Sequence, residues 1–261
     1  MDLSYIWDAP RPFVHPLTTP AGAVLSVEAP ADHPWHHALW FTIKFVNGEN
    51  FWEEYGEFGL LHTTSVTPIA NGVEAVIDWI APDGETVRLH EIRRLTTVPI
   101  DADAYAIDWS EHLRAPVDTV LDRTPFTTSG GYGGLTLRGA PDWTDTVIRL
   151  DDGRERDRAL GEHSAWFALD GTPNERTERM YAGVVILDHP TNPRWPTPWY
   201  ASTRADTYGE GWANFVNAAF LWDEPLSVPA DTKLSLRYRL IIHDGEWSLE
   251  RIRREYQQWI A

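Results

Sequence analysis

The 261-residue sequence has no cysteine, which excludes disulfide bonds and thiolate metal ligands. Basic residues are scarce, because 22 Lys and Arg stand against 39 Asp and Glu, for a formal net charge of −17. Nucleic-acid binders need a basic face, so this deficit argues against a nucleic-acid partner. No apolar run approaches the roughly 18 residues of a membrane span. The N-terminal residues also lack the basic and apolar regions of a signal peptide. We therefore predict a cytoplasmic protein with no membrane partner.

What the sequence does contain is strand-like alternation of apolar and polar residues. Residues 72–82, 85–98 and 233–245 alternate in this way, which is typical of half-buried β-strands. Asn-Gly and Asp-Gly pairs between such runs mark turns. The pattern predicts a mainly β protein, a large antiparallel β-sandwich, formed as a single domain by residues 1–261.

Helical spacing is found at the C terminus. Ser248 is a suitable N-cap, and Ile252, Tyr256 and Trp259 recur at intervals that place them on one helix face. We expect a short helix within residues 248–260 and little helix elsewhere.

Histidines are concentrated in the N-terminal quarter of the chain, and three of the ten lie within the five residues 33–37. The histidines of this region are His15, His33, His36, His37 and His62. Three interpretations remain open: acid–base catalysis beside a carboxylate, a metal site, or structural imidazoles bonded to the backbone. In an extended chain, His36 and His37 point to opposite faces, so we expect at most one of them in any given site.

Two further segments combine aromatic and polar side chains. The glycine-rich residues 128–139 contain Tyr132 and Arg138, which either reach into a cleft or belong to a bulged strand. Residues 188–200 combine hydrogen-bonding and flat apolar side chains, a mixture that suits a sugar; the alternative is a packed, proline-stiffened loop. We expect at least two of the segments 33–40, 130–138 and 188–200 to line one pocket. The side chains predicted to bind substrate are His15, His33, Trp40, His62, Tyr132, Arg138, His189, Asn192 and Trp199.

Several long motifs carry a resemblance to a known family. They include RPFVHPLTTPAG, DHPWHHALWF, NFWEE, GGYGGLTLR and ILDHPTNPRWPTPWY. Over residues 10–260 the chain resembles the bacterial PmoA-like domain family of unknown function, which is similar to the galactose-mutarotase-like super-sandwich group. The resemblance implies one large sandwich with a sugar-sized cleft. In mutarotase-like enzymes a histidine acid and a carboxylate base open the sugar ring, which implies His36 or His37 as the acid and Glu54 or Asp188 as the base.

The leading hypothesis is therefore a carbohydrate-active enzyme, an epimerase, lyase or hydrolase of a mono- or small oligosaccharide. His36, His37 and Glu54 are its candidate catalytic residues, and neither a cofactor nor a metal is expected. One alternative is a metal-dependent enzyme using two or three of four histidines, namely His15, His33, His37 and His62. The other alternative is a non-catalytic carbohydrate-binding module.

Overall fold

The computed structural model describes residues 3–126, 130–174, 181–206 and 211–261. Residues 128 and 129, which begin the glycine-rich stretch, lie outside the described residues. The strands, numbered in chain order, are β1 (Tyr5–Ile6), β2 (Phe13–Val14), β3 (Leu39–Thr42), β4 (Phe45–Val46), β5 (Glu49–Asn50), β6 (Leu60–Ile69), β7 (Gly72–Ile80), β8 (Val87–Asp101), β9 (Ala104–Arg114), β10 (Thr119–Asp122), β11 (Gly134–Arg138), β12 (Thr144–Leu150), β13 (Glu155–Arg156), β14 (Arg158–His163), β15 (Trp166–Thr172), β16 (Ala182–Asp188), β17 (Pro198–Ser202), β18 (Phe215–Ala218), β19 (Leu226–Val228) and β20 (Lys233–Asp244). The helix is α1 (Leu249–Ile260).

The strands form three sheets. A seven-stranded sheet has the order β1-β2-β3-β11-β18-β17-β14, and a nine-stranded sheet has the order β13-β12-β15-β16-β20-β9-β8-β7-β6. A four-stranded sheet has the order β19-β10-β4-β5. The pairings in both large sheets are antiparallel, as in β11 with β3 and β20 with β9. The predicted antiparallel β-sandwich is confirmed.

Successive side chains of each strand point to opposite faces of the seven-stranded sheet. Leu135 and Leu137 of β11 join the main hydrophobic core, together with side chains of the nine-stranded sheet such as Ile107 and Leu240. Trp199 of β17 belongs to the same core and is 0% exposed. The opposite face of the seven-stranded sheet is called the outer face below.

Strand register arranges the outer face in rows. One row runs Phe13–Trp40–Thr136–Asn217–Tyr200 across five neighbouring strands. Because side chains at paired positions of one face lie next to each other, these five are neighbours. Phe13 and Trp40 belong to a hydrophobic cluster that is separate from the main core, so the outer face has its own apolar surface.

A second row on the outer face runs Arg138–Phe215–Ser202–Arg158 across strands β11, β18, β17 and β14. It lies two residues along each strand from the first row, at the end of β11. Polar and charged side chains therefore lie at this end of the sheet, on both sides of Phe215.

The predicted C-terminal helix is present. The Ser248 hydroxyl accepts a hydrogen bond from the Arg251 backbone N–H at 3.2 Å, which satisfies one of the free donors of the first turn. Ile252 and Tyr256 are buried against the nine-stranded sheet, where Val185 is among their cluster partners. The amphipathic pattern of residues 248–260 therefore predicted this helix and its start.

Charged side chains lie inside the main core, in β8 and β9. Arg93 Nε lies 2.7 Å from Glu91 Oε1 and 3.3 Å from Glu111 Oε1, and all three side chains are fully buried. The indoles of Trp79 and Trp109 donate to Glu91 and Glu111, each at 2.7 Å. Burial raises the pKa of the Glu111 carboxyl well above its usual range. The single Arg93 guanidinium is therefore shared by two buried carboxylates.

The nine-stranded sheet ends at β6. The pairing of β6 with β7 shifts register between Thr63 and Ser65, which marks a β-bulge, and Pro68 lies further along the same strand. His62 also lies on β6, exposed and opposite Asp78. Among the described residues, no helix is long and apolar enough to cross a membrane.

Candidate functional site

His36 and His37 both lie against the outer face. Their ring centroids are 5.4 Å and 6.4 Å from that of Trp40. The expectation that only one of them joins a given site stays a prediction. His37 pairs with Glu28 in an isolated antiparallel β-bridge, whereas His36 lies in the turn before it. The His36 N–H closes a turn onto the His33 carbonyl at 2.9 Å, and Ala38 takes a positive φ of 56° before the strand begins.

His37 is held between two carboxylates. Its Nε2 lies 2.6 Å from Glu54 Oε1, and its Nδ1 lies 3.6 Å from Glu28 Oε1. The ring also stacks on Phe13, with centroids 5.2 Å apart. The His37 side chain is 5% exposed and that of Glu54 is 18% exposed, so the carboxylate is the end of this pair that reaches solvent.

His36 belongs to a second polar chain. Arg138 Nη1 lies 3.4 Å from His36 Nδ1, and Arg138 Nη2 donates to Asp32 Oδ2 at 2.9 Å. His33 Nδ1 contacts the same Asp32 oxygen at 2.8 Å, and its ring stacks on His36. Burial lowers the pKa of His36 well below its usual value, and His33 and Arg138 lower it further. The ring is therefore neutral at pH 7, and because Arg138 donates to Nδ1, its proton is on Nε2.

A cavity of about 700 Å³ lies beside this chain. Asp32, Arg138 and Asp142 supply its charged groups, and Pro30 and Pro141 supply apolar walls. Small-ligand pockets are typically about 300–1,000 Å³, so the volume suits a sugar.

Partly exposed aromatic rings continue the surface from His36. The centroid of Tyr132 is 4.9 Å from that of Trp52 and 5.5 Å from that of Tyr200, and Tyr200 stacks on Trp222 at 6.0 Å. Trp222 lies flat on Gly161, where a Cβ would overlap the indole. Burial raises the pKa of Tyr132 to about 12, so its hydroxyl keeps its proton. These rings offer flat apolar faces with polar edges.

The two neighbouring glutamates have different partners. Glu53 forms an ion pair with Lys44, whose Nζ also donates to Asn50 Oδ1 at 3.3 Å. Glu54 faces His37 instead. Lys44 belongs to no motif that predicts a site residue. Its position two residues beyond β3 is the one feature that would have indicated it.

The remaining predicted site residues lie apart from this surface or beneath it. His15 Nδ1 contacts the Ser26 hydroxyl at 2.9 Å, and His62 is exposed on β6 of the other sheet. His189 contacts the ring of Trp259 in the helix, with centroids 5.1 Å apart. Trp199 faces the core, and Trp40 is 1% exposed, so it supports the histidines from below.

The segment 188–200 is mainly a braced loop. The Asn192 side chain donates to Asp188 Oδ1 at 2.7 Å and to the Arg237 carbonyl at 2.8 Å. Of the three segments expected to line one pocket, 33–40 and 130–138 meet on the outer face, and 188–200 adds Tyr200 to it. The cavity beside Asp32 is lined by Arg138 and by no other described residue of these segments.

Asp188 gives a prediction about stability and pH. Burial raises its pKa to about 7, although hydrogen bonds from Asn192 and Thr197 oppose the increase. In the unfolded chain its pKa is about 4. Between these values the folded protein keeps a proton that the unfolded chain has lost, so this stabilisation is lost as pH rises towards 7.

Asp188→Asn cannot titrate. We expect the free energy of unfolding of the wild type, minus that of the variant, to fall as pH rises from about 4 to 7. Urea denaturation across this range measures it, and a flat or rising difference contradicts the prediction.

No metal site is evident in the part of the chain that the structure describes, since no three His, Asp or Glu side chains are grouped as ligands there. The four histidines of the metal hypothesis have different neighbours: Ser26 for His15, Asp32 for His33, Glu54 for His37 and the β6 surface for His62.

Comparison with known proteins gives a family for this chain. A family model matches residues 3–257, and the chain belongs to that family of unknown function, DUF6807. The family description contains no reference to PmoA, so that resemblance stays an interpretation of the motifs. No curated protein matches the sequence.

One similar solved structure is described as a polysaccharide lyase. It has a TM-score of 0.43 and 8% sequence identity, and the match covers 99% of this chain and 34% of that one. The chain thus spans about a third of the length of the structure it matches.

Proposed function

We propose that this protein is a carbohydrate-active enzyme that transfers a proton on a mono- or small oligosaccharide. The contact of 2.6 Å between His37 Nε2 and Glu54 Oε1 carries the proposal. The sugar-sized cavity lies at the neighbouring polar chain, where Asp32 and Arg138 line it. An imidazole and a carboxylate in hydrogen-bond contact form a proton-transfer couple that works near neutral pH.

The two members of the couple have different roles in this proposal. Glu54 is the partly exposed member, so it exchanges the proton with the sugar. His37 is buried behind it and holds the carboxylate in place, and Glu28 Oε1 lies 3.6 Å from the far nitrogen of the imidazole ring. His36, neutral and in contact with Arg138, lies buried beneath the same surface.

Sugar recognition is assigned to the rings and the cavity. Tyr132, Tyr200 and Trp222 are suited to stacking on the C–H faces of a pyranose. Asp32 and Arg138, which are already fixed to each other, are suited to bonding its hydroxyls. A binding module needs the rings but not a buried imidazole between two carboxylates, which favours the enzyme over the module.

A sugar panel tests this proposal. Common neutral hexoses, pentoses and their di- and trisaccharides are incubated with the protein in D₂O and followed by proton NMR. Ligand-observed signals report binding, and deuterium incorporation or new products report turnover. We expect at least one saccharide to bind and to be converted, and the complete absence of both across the panel overturns the proposal.

Matched tryptophan variants locate the binding surface. Trp222→Ala should weaken binding of that saccharide by about 2–10-fold, the value of one aromatic contact. Trp195→Ala is the control, because Trp195 is also open to solvent but its indole N–H donates to the Tyr256 hydroxyl of the helix at 3.2 Å. Equal effects of the two substitutions contradict the placement of the sugar.

A further inference from the structure

A second cavity, of about 550 Å³, lies near the first. It opens where β14 begins and β17 ends, and its lining includes Asp157, Thr203, Arg204, Asp206 and Trp212. Its volume also falls within the usual range of about 300–1,000 Å³ for ligand pockets. The proposed function makes no use of this cavity.

Residues 211–212 separate the two cavities. Gly211 lines the first cavity and Trp212 lines the second. The Trp212 N–H donates to the Pro141 carbonyl at 3.1 Å. Gly211 has a φ of 64°, and a Cβ there would lie 2.8 Å from Pro141 Cβ, so glycine permits this close approach. Among the described residues, the linings of the two cavities meet at Gly211 and Trp212.

Strand register shows that the cavities follow one another along the sheet. Arg138, at the end of β11, lines the first cavity and begins the outer-face row that continues through Phe215 and Ser202 to Arg158. Thr203, the residue after Ser202, donates its backbone N–H to the Asp157 carbonyl at 2.9 Å and lines the second cavity. The two cavities therefore lie at the same end of neighbouring strands.

We propose that the two cavities form one groove and that the substrate is a neutral oligosaccharide, with one unit near Arg138 and a later unit stacked on Trp212. This inference rests on the proposed function and specifies its substrate class. A half-buried indole offers a flat face to the sugar ring, and Asp157, Thr203 and Arg204 can bond its hydroxyls.

The charges of the second cavity favour a neutral chain. Two arginines, Arg156 and Arg204, face three carboxylates, those of Glu155, Asp157 and Asp206. Arg204 is already paired with Asp206 through contacts of 3.0 Å and 2.9 Å. The described lining residues therefore carry no positive excess that would attract an acidic chain.

Binding of saccharides of different lengths tests the groove. Glucose, xylose and mannose are compared by calorimetry with maltotriose, cellotriose, xylotriose and mannotriose, and trigalacturonate represents acidic chains. We expect a neutral trisaccharide to bind more tightly than its monosaccharide and more tightly than trigalacturonate. Trp212→Ala should weaken trisaccharide binding by about 2–10-fold and leave monosaccharide binding unchanged.

Arg204→Gln is the second variant, because its side chain is 41% exposed and its ion pair with Asp206 lies at the surface. It should weaken the trisaccharide selectively as well, whereas Trp195→Ala should affect neither ligand. Equal binding of mono- and trisaccharides, an equal loss of both in Trp212→Ala, or preference for trigalacturonate overturns the groove while the proposed function stands. If no saccharide binds the wild type, both proposals fail.

Discussion

Glu54→Gln is expected to lower the turnover of the saccharide substrate by about 10²–10⁴-fold, the usual contribution of a positioned acid–base group. Glutamine has the same shape and still accepts a bond from His37, but it cannot take up or release a proton. Binding of the saccharide should change little, because the exposed rings and Arg138 remain in place. The NMR turnover assay and calorimetry measure the two effects separately.

Glu57→Gln is the matched control, since it makes the same chemical change at an exposed position in the same segment. His37→Gln tests the positioning role. It should lower turnover and change the pH profile of turnover, because the Glu54 carboxylate then loses its imidazole partner. If Glu54→Gln retains turnover within about 3-fold of the wild type, Glu54 is not the proton-transfer group.

Arg93→Met is expected to destabilise the protein by about 3–5 kcal/mol, the cost of leaving a buried charge without its partner. Arg93 is fully buried between Glu91 and Glu111, and its Nη1 also donates to the Pro12 carbonyl at 3.0 Å. Methionine can fill the space but leaves at least one carboxylate in the core uncompensated. Urea denaturation at pH 7 measures the loss.

Two further variants separate charge from packing. Arg114→Met removes an exposed ion pair with Asp231, in the turn before β20, and should cost about 1 kcal/mol or less. The triple variant Glu91→Gln, Arg93→Met and Glu111→Gln should recover much of the loss. It removes the buried charges but keeps oxygen acceptors for the two tryptophan indoles. A triple variant no more stable than Arg93→Met alone would show that packing is responsible.

The architecture could be predicted because it follows from local patterns. Alternating residues gave the long strands, and Ser248 with its following apolar spacing gave the helix. The same pattern does not determine which face of a strand is inside when polar residues occupy the inner positions. In β8, Glu91 and Arg93 face the core and Ile92 is 42% exposed, because the buried residues satisfy one another across two strands. Such pairing is not visible in the sequence of one strand.

The candidate site was predicted in part, for a related reason. The histidine cluster was recognised because it is local, and Tyr132 and Arg138 were recognised by residue type. Which partners these residues have depends on register between distant strands. Arg138 meets Asp32 across 106 positions, and His189 lies beneath the helix rather than on the outer face. The residue types of the two segments did not indicate that Arg138 would reach the outer face and that His189 would not.

The end of the nine-stranded sheet bears on how the protein behaves at high concentration. A strand with an unpaired side is a template for a strand of another molecule, the usual start of sheet-to-sheet aggregation. β6 interrupts that template twice, with the bulge between Thr63 and Ser65 and with Pro68, which has no N–H to donate. Its exposed positions are mostly polar, namely His62, Thr64, Ser65 and Thr67, with Leu60 as the exposed large apolar side chain. This edge is therefore a poor template for a strand of another molecule.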